Sequence, residues 1–371
     1  MKLGRNELCW CGSNIKYKKC HLNRASQKPV QEDVLYKELN RFNTDKKCSA
    51  ANLFKNECSN KIIKAHSVSK SSSLKEIAVD GHVLTFFMAQ RNKDNSKLEP
   101  ISVGINKAST FNGFCKVHDK KLFSPFEDNH FDLSSYHCFL IMYRTVSREL
   151  FVKESCKGTF GLMKDMDRGK DIFEQMYIQD RYQHLNGSND LTINDLNYIK
   201  ESLDKVIISK DYEQLEHVII ELKTPPKVMS SSIGGMHFGF DGSLIQEITN
   251  EPMCIPDYLC INSFSSNGKG YIVLSWLREH RVTNQKLMTT LMSSNSIPDS
   301  LLMLIISQTE NLYISPQWWH SLSVQNRLDI TELYKCGGIQ DTYNDVLLTD
   351  ISYGAFDYQG IKYLCTEQTA L

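Results

Sequence analysis

The chain has 371 residues, room for two or three domains at roughly 100–200 residues each. It is 41% hydrophobic and 23% charged, an ordinary globular balance that excludes a disordered or fibrous chain. Lys plus Arg and Asp plus Glu both number 43, so net charge excludes nothing about partners and local charge must be read instead. In chain order, residues 1–24 carry closely spaced cysteines and are followed by a polar, proline-containing linker. The apolar spacing of Val34, Leu35, Tyr36, Leu39 and Phe42 predicts a short amphipathic helix, so 25–47 reads as linker plus helix. Cysteine and histidine return over 48–130, where Ser71–Ser73 are expected to cap a helix running to Val79. The apolar runs 82–89 and 101–105 predict strands there. The three-and-four spacing of Leu133, Tyr136, Phe139, Leu140, Tyr143, Val146 and Leu150 predicts a helix with one buried face, and helical signals continue over 170–185 and 191–210.

The pattern then turns to β structure across 211–371. A strand at 217–222 stops at Pro225-Pro226, and Asp241-Gly242 and Asn267-Gly268 mark two hairpins. Helices are expected at 283–293, 298–309 and 323–334. The fold class is therefore α+β: an N-terminal zinc module, a Cys/His-rich treble-clef-like segment, then mixed helices and antiparallel strands. No segment resembles a signal peptide and no apolar run is long enough to span a bilayer, which places the chain in a reducing cytosol. Clustered cysteines there mean metal more often than disulfides. The scattered Cys138, Cys156, Cys254, Cys260, Cys336 and Cys365 are expected to be packed thiols.

The segment Cys9-Trp10-Cys11-Gly12-Ser13-Asn14-Ile15-Lys16-Tyr17-Lys18-Lys19-Cys20-His21 has the form C-x-C-x8-C-H. Three thiolates and one imidazole suit tetrahedral Zn2+, and Gly12-Ser13-Asn14 supplies the turn that folds one pair onto the other. So short a segment has almost no core, so the metal would supply its folding free energy. These residues, with the approach Gly4-Arg5-Asn6 and the run Lys16–Lys19, resemble the SEC-C zinc-binding motif, named for the C-terminal tail of the preprotein translocase ATPase. In that ATPase the motif contacts an export chaperone and anionic lipid, so the resemblance implies a zinc-held docking tag. No Gly-x4-Gly-Lys-Ser/Thr loop is present, so the chain is not that motor. The basic residues Lys2, Arg5, Lys16, Lys18, Lys19, Arg24 and Lys28 face one acid, Glu7, and suit an anionic partner such as nucleic acid, lipid headgroups or an acidic protein.

A second constellation is Cys48, Cys58, His66, Cys115 and His118. Cys115-x-x-His118 can hold one side of a tetrahedral metal, with Cys48 and Cys58, or Cys58 and His66, on the other. The order of cysteine pair, apolar strand ending in His66, Asn112, and second knuckle leading into a helix resembles an HNH endonuclease of the ββα-metal type. That resemblance implies His66 as the base that deprotonates a water, Asn112 as its orienting residue, and Asp119 as ligand to a catalytic Mg2+ or Mn2+. The sequence departs from the family in having one His where two are common and no Pro after it. A structural zinc knuckle is the competing reading. Trp318-Trp319 is expected to be a buried anchor rather than a base-stacking pair, Arg144, Arg148 and Glu149 an exposed polar face, and His137 a packed or surface residue. The arrangement of tag, Cys/His segment and α+β body resembles a group of bacterial SEC-C-containing proteins. It leads to two expectations: a metal-dependent nuclease or nucleic-acid-associated protein of the kind used in phage defence, or a non-catalytic adaptor docking a chaperone, ribosome or membrane.

Overall fold

The computed structural model describes residues 3–31, 34, 46–54, 56–86, 98–249, 254–336 and 352–364. The chain divides into two compact units, Met1–Asp45 with Leu150–Asp195 and Lys46–Glu149 with Leu196–Leu371. Neither follows the linear order of segments read from the sequence, because the first unit joins the N-terminus to residues more than a hundred positions away. The helix expected around 34–42 lies outside the described residues.

The second unit is built on an antiparallel sheet of eight described strands. These are β2 (His82–Thr85), β3 (Ile101–Gly104), β5 (Leu215–Leu222), β6 (Val228–Gly235), β7 (Tyr258–Ser266), β8 (Lys269–Leu277), β9 (Leu312–Ile314) and β10 (Tyr358–Leu364), in the order β10-β5-β8-β7-β6-β9-β2-β3. Its central strands read as continuous apolar runs because both faces are covered. Val218, Ile220 and Leu222 enter one core while Ile219 between them enters another, and Ile272, Leu274 and Trp276 alternate with Tyr271 and Val273 in the same way. On the first face lie α4 (Arg281–Met292), α5 (Ile297–Gln308), α6 (Pro316–Ser321) and α7 (Val324–Cys336). On the second lies the start of α2 (Ser135–Met163), which places Cys138 and Ile141 beside Phe131, Ile219 and Val273.

The Asn267-Gly268 hairpin forms as expected, with φ of 52° and 74° joining β7 to β8. At Asp241-Gly242 only the isolated bridge Phe238–Leu244 closes the turn, without flanking strands. Ser69, not Ser71–Ser73, caps the turn at Lys70–Leu74: its hydroxyl accepts from the Ser72 amide, and Ser73 turns inward to donate to Ser265 O. The Trp pair is buried, with Trp318 Nε1 donating to Tyr353 O and Trp319 edge-on to Phe86.

A separate two-stranded ribbon pairs β1 (Ile62–His66) with β4 (Thr110–Cys115), and β4 runs straight into α1 (Lys116–Glu127). This hairpin-plus-helix holds the second Cys/His cluster.

In the first unit the helical signals at 170–185 and 191–210 are one element, α3 (Ile172–Ser209), whose later part continues into the second unit. The polar run Asn186-Gly187-Ser188-Asn189 does not break it, because those side chains are used within the helix pair. Asn186 donates to Asp190, and Asn189 Nδ2 donates to Lys153 O on α2. Of the scattered cysteines, Cys138 and Cys260 are buried, but Cys254 is exposed and Cys156 only half-buried. No helix among the described residues is long and apolar enough to cross a membrane.

Candidate metal centres

The first centre is a miniature hairpin. Cys9 N donates to Ile15 O at 2.8 Å and Tyr17 N to Glu7 O at 2.8 Å, while Gly12 and Asn14 take positive φ (70° and 56°) to turn the chain. A single 3-10 turn at Tyr17–Lys19 then brings Cys20 and His21 back over Cys9 and Cys11. His21 Nδ1 lies 3.2 Å from Cys9 Sγ and 3.1 Å from Cys20 Sγ, and the Cys11 and Cys20 sulfurs are 3.5 Å apart. All four ligand atoms lie within 4.8 Å of one another. A disulfide would put two sulfurs at about 2.05 Å. A zinc tetrahedron asks for edges of about 3.8 Å between sulfurs and about 3.5 Å between sulfur and nitrogen. The cluster is therefore a slightly contracted tetrahedron, and its donors fit Zn2+.

The imidazole is already set for that ion. His21 Nε2 donates to Asp167 Oδ2 at 2.8 Å, which puts the ring hydrogen on Nε2 and turns the Nδ1 lone pair toward the thiols. Asp167 is fully buried. Its Oδ1 accepts from Arg24 Nε at 2.6 Å and its Oδ2 from Gln179 Nε2 at 2.7 Å. Burial alone would raise the Asp167 pKa; His21, Arg24 and Gln179 outweigh it and hold the group ionised. Gln183 on α3 donates to Cys11 O at 2.6 Å, and Gly169 N to Arg24 O at 3.1 Å. The module is therefore seated on α3 and on the Lys164–Gly169 turn that precedes it rather than carried as a loose tag. Burial also raises the thiol pKa values, taking Cys9 to about 12; at Cys11 the Ser13 hydroxyl and amide and the neighbouring thiols overcome burial and bring it to about 7. A dication removes that conflict by ionising every thiol at once.

The second centre gathers Cys48, Cys58, Cys115 and His118, again within 4.8 Å. Cys115 ends β4 and caps α1, its sulfur accepting from the His118 amide at 3.4 Å. Cys48 is brought in by two backbone bonds to β4, Lys47 N to Asn112 O and Ser49 N to Gly113 O. His118 Nδ1 lies 3.2 Å from Cys48 Sγ, and both Cys115 and His118 are fully buried. Burial pushes Cys48 up to about 11, whereas at Cys115 the His118 amide and Ser59 overcome burial and bring the thiol to about 7.

His66 is not in this group. It closes β1 opposite Thr110, and its Nε2 lies 3.2 Å from Ile105 O. Burial lowers its pKa against the pull of that carbonyl. Asn112 is buried within β4. Asp119 sits in the first turn of α1, with its Oδ1 buried and lacking a hydrogen-bond partner among the described residues, and burial raises its pKa. The same two charges, Arg144 and Glu127, act on both His66 and Asp119.

Arg144 corrects an expectation. It is not on an exposed face but 2% exposed, its guanidinium 3.8 Å from the Phe123 ring centroid and Nη1 2.7 Å from Glu127. Glu149 is likewise buried. Sequence reading missed Asp167, Gln179 and Gln183 altogether, since nothing in the local pattern of 164–183 differs from an ordinary polar helix. Among comparisons with known proteins, the SEC-C motif model matches residues 5–23. No curated protein and no solved structure matches the chain.

Proposed function

We propose that the chain is a zinc-stapled phosphodiesterase of the ββα-metal type, acting on nucleic acid. The observation that carries this reading is the separation of roles in the second centre: three thiols and His118 complete a tetrahedral set, and His66 is left over at the end of the adjoining strand. A structural knuckle needing His66 as its fourth ligand would have consumed the base that this reading requires. With Nε2–H donating to Ile105 O, His66 presents Nδ1 as the free lone pair, and burial keeps the ring neutral at pH 7. Asp119, on the helix that starts at the knuckle, has a buried oxygen with no hydrogen-bond partner and fits as a carboxylate ligand. A divalent cation bound there would supply charge stabilisation to the scissile phosphate. Asn112 is buried in β4 and takes the orienting role that the resemblance implies, while its backbone carbonyl, accepting from Lys47 N, ties the Cys48 loop to the strand.

The test is cleavage of plasmid DNA and of RNA with Mg2+ or Mn2+, comparing the parent chain with His66→Ala. Loss of cleavage with both zinc ions retained supports the reading; no cleavage of either nucleic acid by the parent overturns it. A second reading, an adaptor, is favoured by one specific feature. The first module exposes Arg5, Lys16, Lys18 and Lys19 together with Leu8 and Ile15, the last two at 61% and 47% exposure. Such a mixed basic and apolar surface suits an acidic protein partner or an anionic membrane.

A further inference from the structure

The chain as a whole is neutral, but its charge is unevenly spread. Residues 46–76 and 104–121, which include the ribbon of β1 and β4, the start of α1 and the loops beside them, hold eleven lysines and no arginine. Against these stand three carboxylates, Glu57, Glu76 and Asp119.

Five of the lysines follow the ribbon from end to end. Lys116 N donates to Lys61 O at 3.0 Å, so this pair flanks the end nearest Cys115. Lys64 lies midway along β1, and the pleat puts it on the same face as His66 while Ala65 between them is buried. At the other end His66 pairs with Thr110, whose hydroxyl donates to Lys107 O at 2.8 Å. Lys70 reaches the same place, its Nζ donating to Asn106 Oδ1 at 2.9 Å. All five are exposed, and their flexible four-carbon stems let each ammonium swing to meet an anion. Lys121 is paired with Glu57 at 2.7 Å, whereas the five meet no carboxylate among the described residues.

From Lys61 to His66 the strand advances about 17 Å at roughly 3.3 Å per residue. Cations spread over that length cannot close on one small anion; they match a linear polyanion. Duplex nucleic acid carries one charge per about 1.7 Å of its axis, so about ten phosphates stand beside such a strip. An acidic protein would need apolar anchors at the centre of the patch, but over residues 61–76 and 104–127 Val117 is the only exposed large apolar side chain described. Single strands are held by bases stacked on aromatic rings, and no described aromatic side chain in those ranges is exposed.

We infer that the ribbon is a binding surface for the sugar-phosphate backbone of a nucleic-acid duplex, with Lys61, Lys64, Lys70, Lys107 and Lys116 each meeting a phosphate. Nucleic acid as the partner rests on the function proposed above. The surface uses neither His66 as a base nor Asp119 as a metal ligand, so binding and cleavage can fail separately.

The test is fluorescence anisotropy of a labelled duplex of about 20 base pairs, as DNA and as RNA, titrated with the full zinc-loaded chain at about 50 to 200 mM NaCl without Mg2+ or Mn2+. Five neutralised phosphates give a slope of about −4.5 in log affinity against log salt, a loss of roughly 500-fold across that range. Lys61→Gln/Lys64→Gln/Lys107→Gln/Lys116→Gln is expected to bring the slope to about −1. Lys70 is left in place because it holds Asn106. Circular dichroism and zinc content check that the variant is folded, and the pairs Lys61→Gln/Lys116→Gln and Lys64→Gln/Lys107→Gln are each expected to remove about two from the slope. The relative affinities of the DNA and RNA duplexes tell which of the two supplies the backbone. No duplex binding at about 50 mM NaCl overturns the inference. So does an unchanged slope in the lysine variants, or a loss of slope produced instead by Lys16→Gln/Lys18→Gln/Lys19→Gln. A single strand bound as tightly as the duplex, or polyglutamate competing as well as unlabelled duplex, overturns the duplex assignment. Duplex binding without cleavage supports this surface and sinks the nuclease; cleavage with a salt slope unmoved by the lysine variants does the reverse.

Discussion

Asp167 fixes the tautomer of a zinc ligand 146 positions away, and its own charge is fixed in turn by Arg24 and Gln179. Replacing it with Asn keeps the shape but lets an amide nitrogen face the His21 N–H, so the ring loses its reason to turn Nδ1 toward the thiols. Asp167→Asn is therefore expected to weaken zinc binding at the first site by about 10–100-fold, measured by competition with a chromogenic chelator. The second site makes a sharper prediction. Two zinc ions per chain are expected by elemental analysis, falling to one in His118→Ala and staying at two in His66→Ala. The Cys9, Cys11, Cys20 and His21 group was legible in the sequence because a tetrahedral metal set demands particular atoms at particular separations, and that demand shows up as spacing. At the second cluster the spacing left Cys48 with Cys58 and Cys58 with His66 both open, and the fold brings Cys48 and Cys58 to Cys115 and His118. Asp167 was not legible, because a carboxylate that hydrogen-bonds a ligand can come from anywhere in the chain. Arg144 was misread for a related reason. A guanidinium on a helix looks exposed until a folded neighbour supplies aromatic faces and a carboxylate, and Phe123, Phe126 and Glu127 come from a different helix. His217 shows the cost of such burial: it lies fully buried in β5 beside the Ser275 hydroxyl, and desolvation takes its pKa to about 3. Its folded value is below its unfolded one, so the folded state refuses a proton that the unfolded chain accepts. Stability is unaffected above pH 6.5, the ordinary histidine value, and falls as pH drops from there toward 3. The slope from this residue is about 1.4 kcal/mol per pH unit, read from urea midpoints between pH 7 and 5 and reduced in His217→Gln.

At the scale of elements, the two long helices carry glycines that no contact requires. Gly158 and Gly161 in α2 and Gly187 in α3 have open space where a Cβ would stand and no positive φ. Gly187→Ala is expected to stabilise the chain by about 0.5–1 kcal/mol, seen as a rise in thermal midpoint with zinc content unchanged. That same Gly187, inside a polar run, is why α3 read as two helices: composition marks a possible break, and only the partners of Asn186 and Asn189 decide against it. The strands of the large sheet were legible where both faces are covered, as in β5, β7 and β8. They were not legible at β6, whose Ser230-Ser231-Ser232 reads as loop. Those serines are pleated into the sheet because hydroxyls from neighbouring elements meet them, as Thr145 meets Ser231 at 2.9 Å. The ribbon of β1 and β4 was seen only through its ends, His66 and Cys115, since the long stretch between them belongs to other structure.

For the molecule as a whole, a metal bound at the Cys/His clusters and the hydrophobic core would stabilise different parts. The second unit holds a sheet with helices on both faces, a core large enough to persist without metal. The module at the first centre has few buried apolar groups and leans on its ion and on Asp167. Chelation is therefore expected to unfold the backbone around the already exposed Lys16, Lys18 and Lys19 and make it cleavable by trypsin within minutes, while the eight-stranded sheet stays protected. Mass spectrometry of the fragments checks the order of cleavage. The same layout governs assembly during synthesis. Cys9, Cys11, Cys20 and His21 emerge before Asp167, so a metal ion can be captured before the Asp167 carboxylate is made. The carboxylate that locks the imidazole in place is appended only 146 residues later. Until then a captured ion would be held by an unbraced ring and stay open to exchange, and completion of the α2–α3 hairpin, rather than the arrival of the metal, would be the moment at which the module becomes committed.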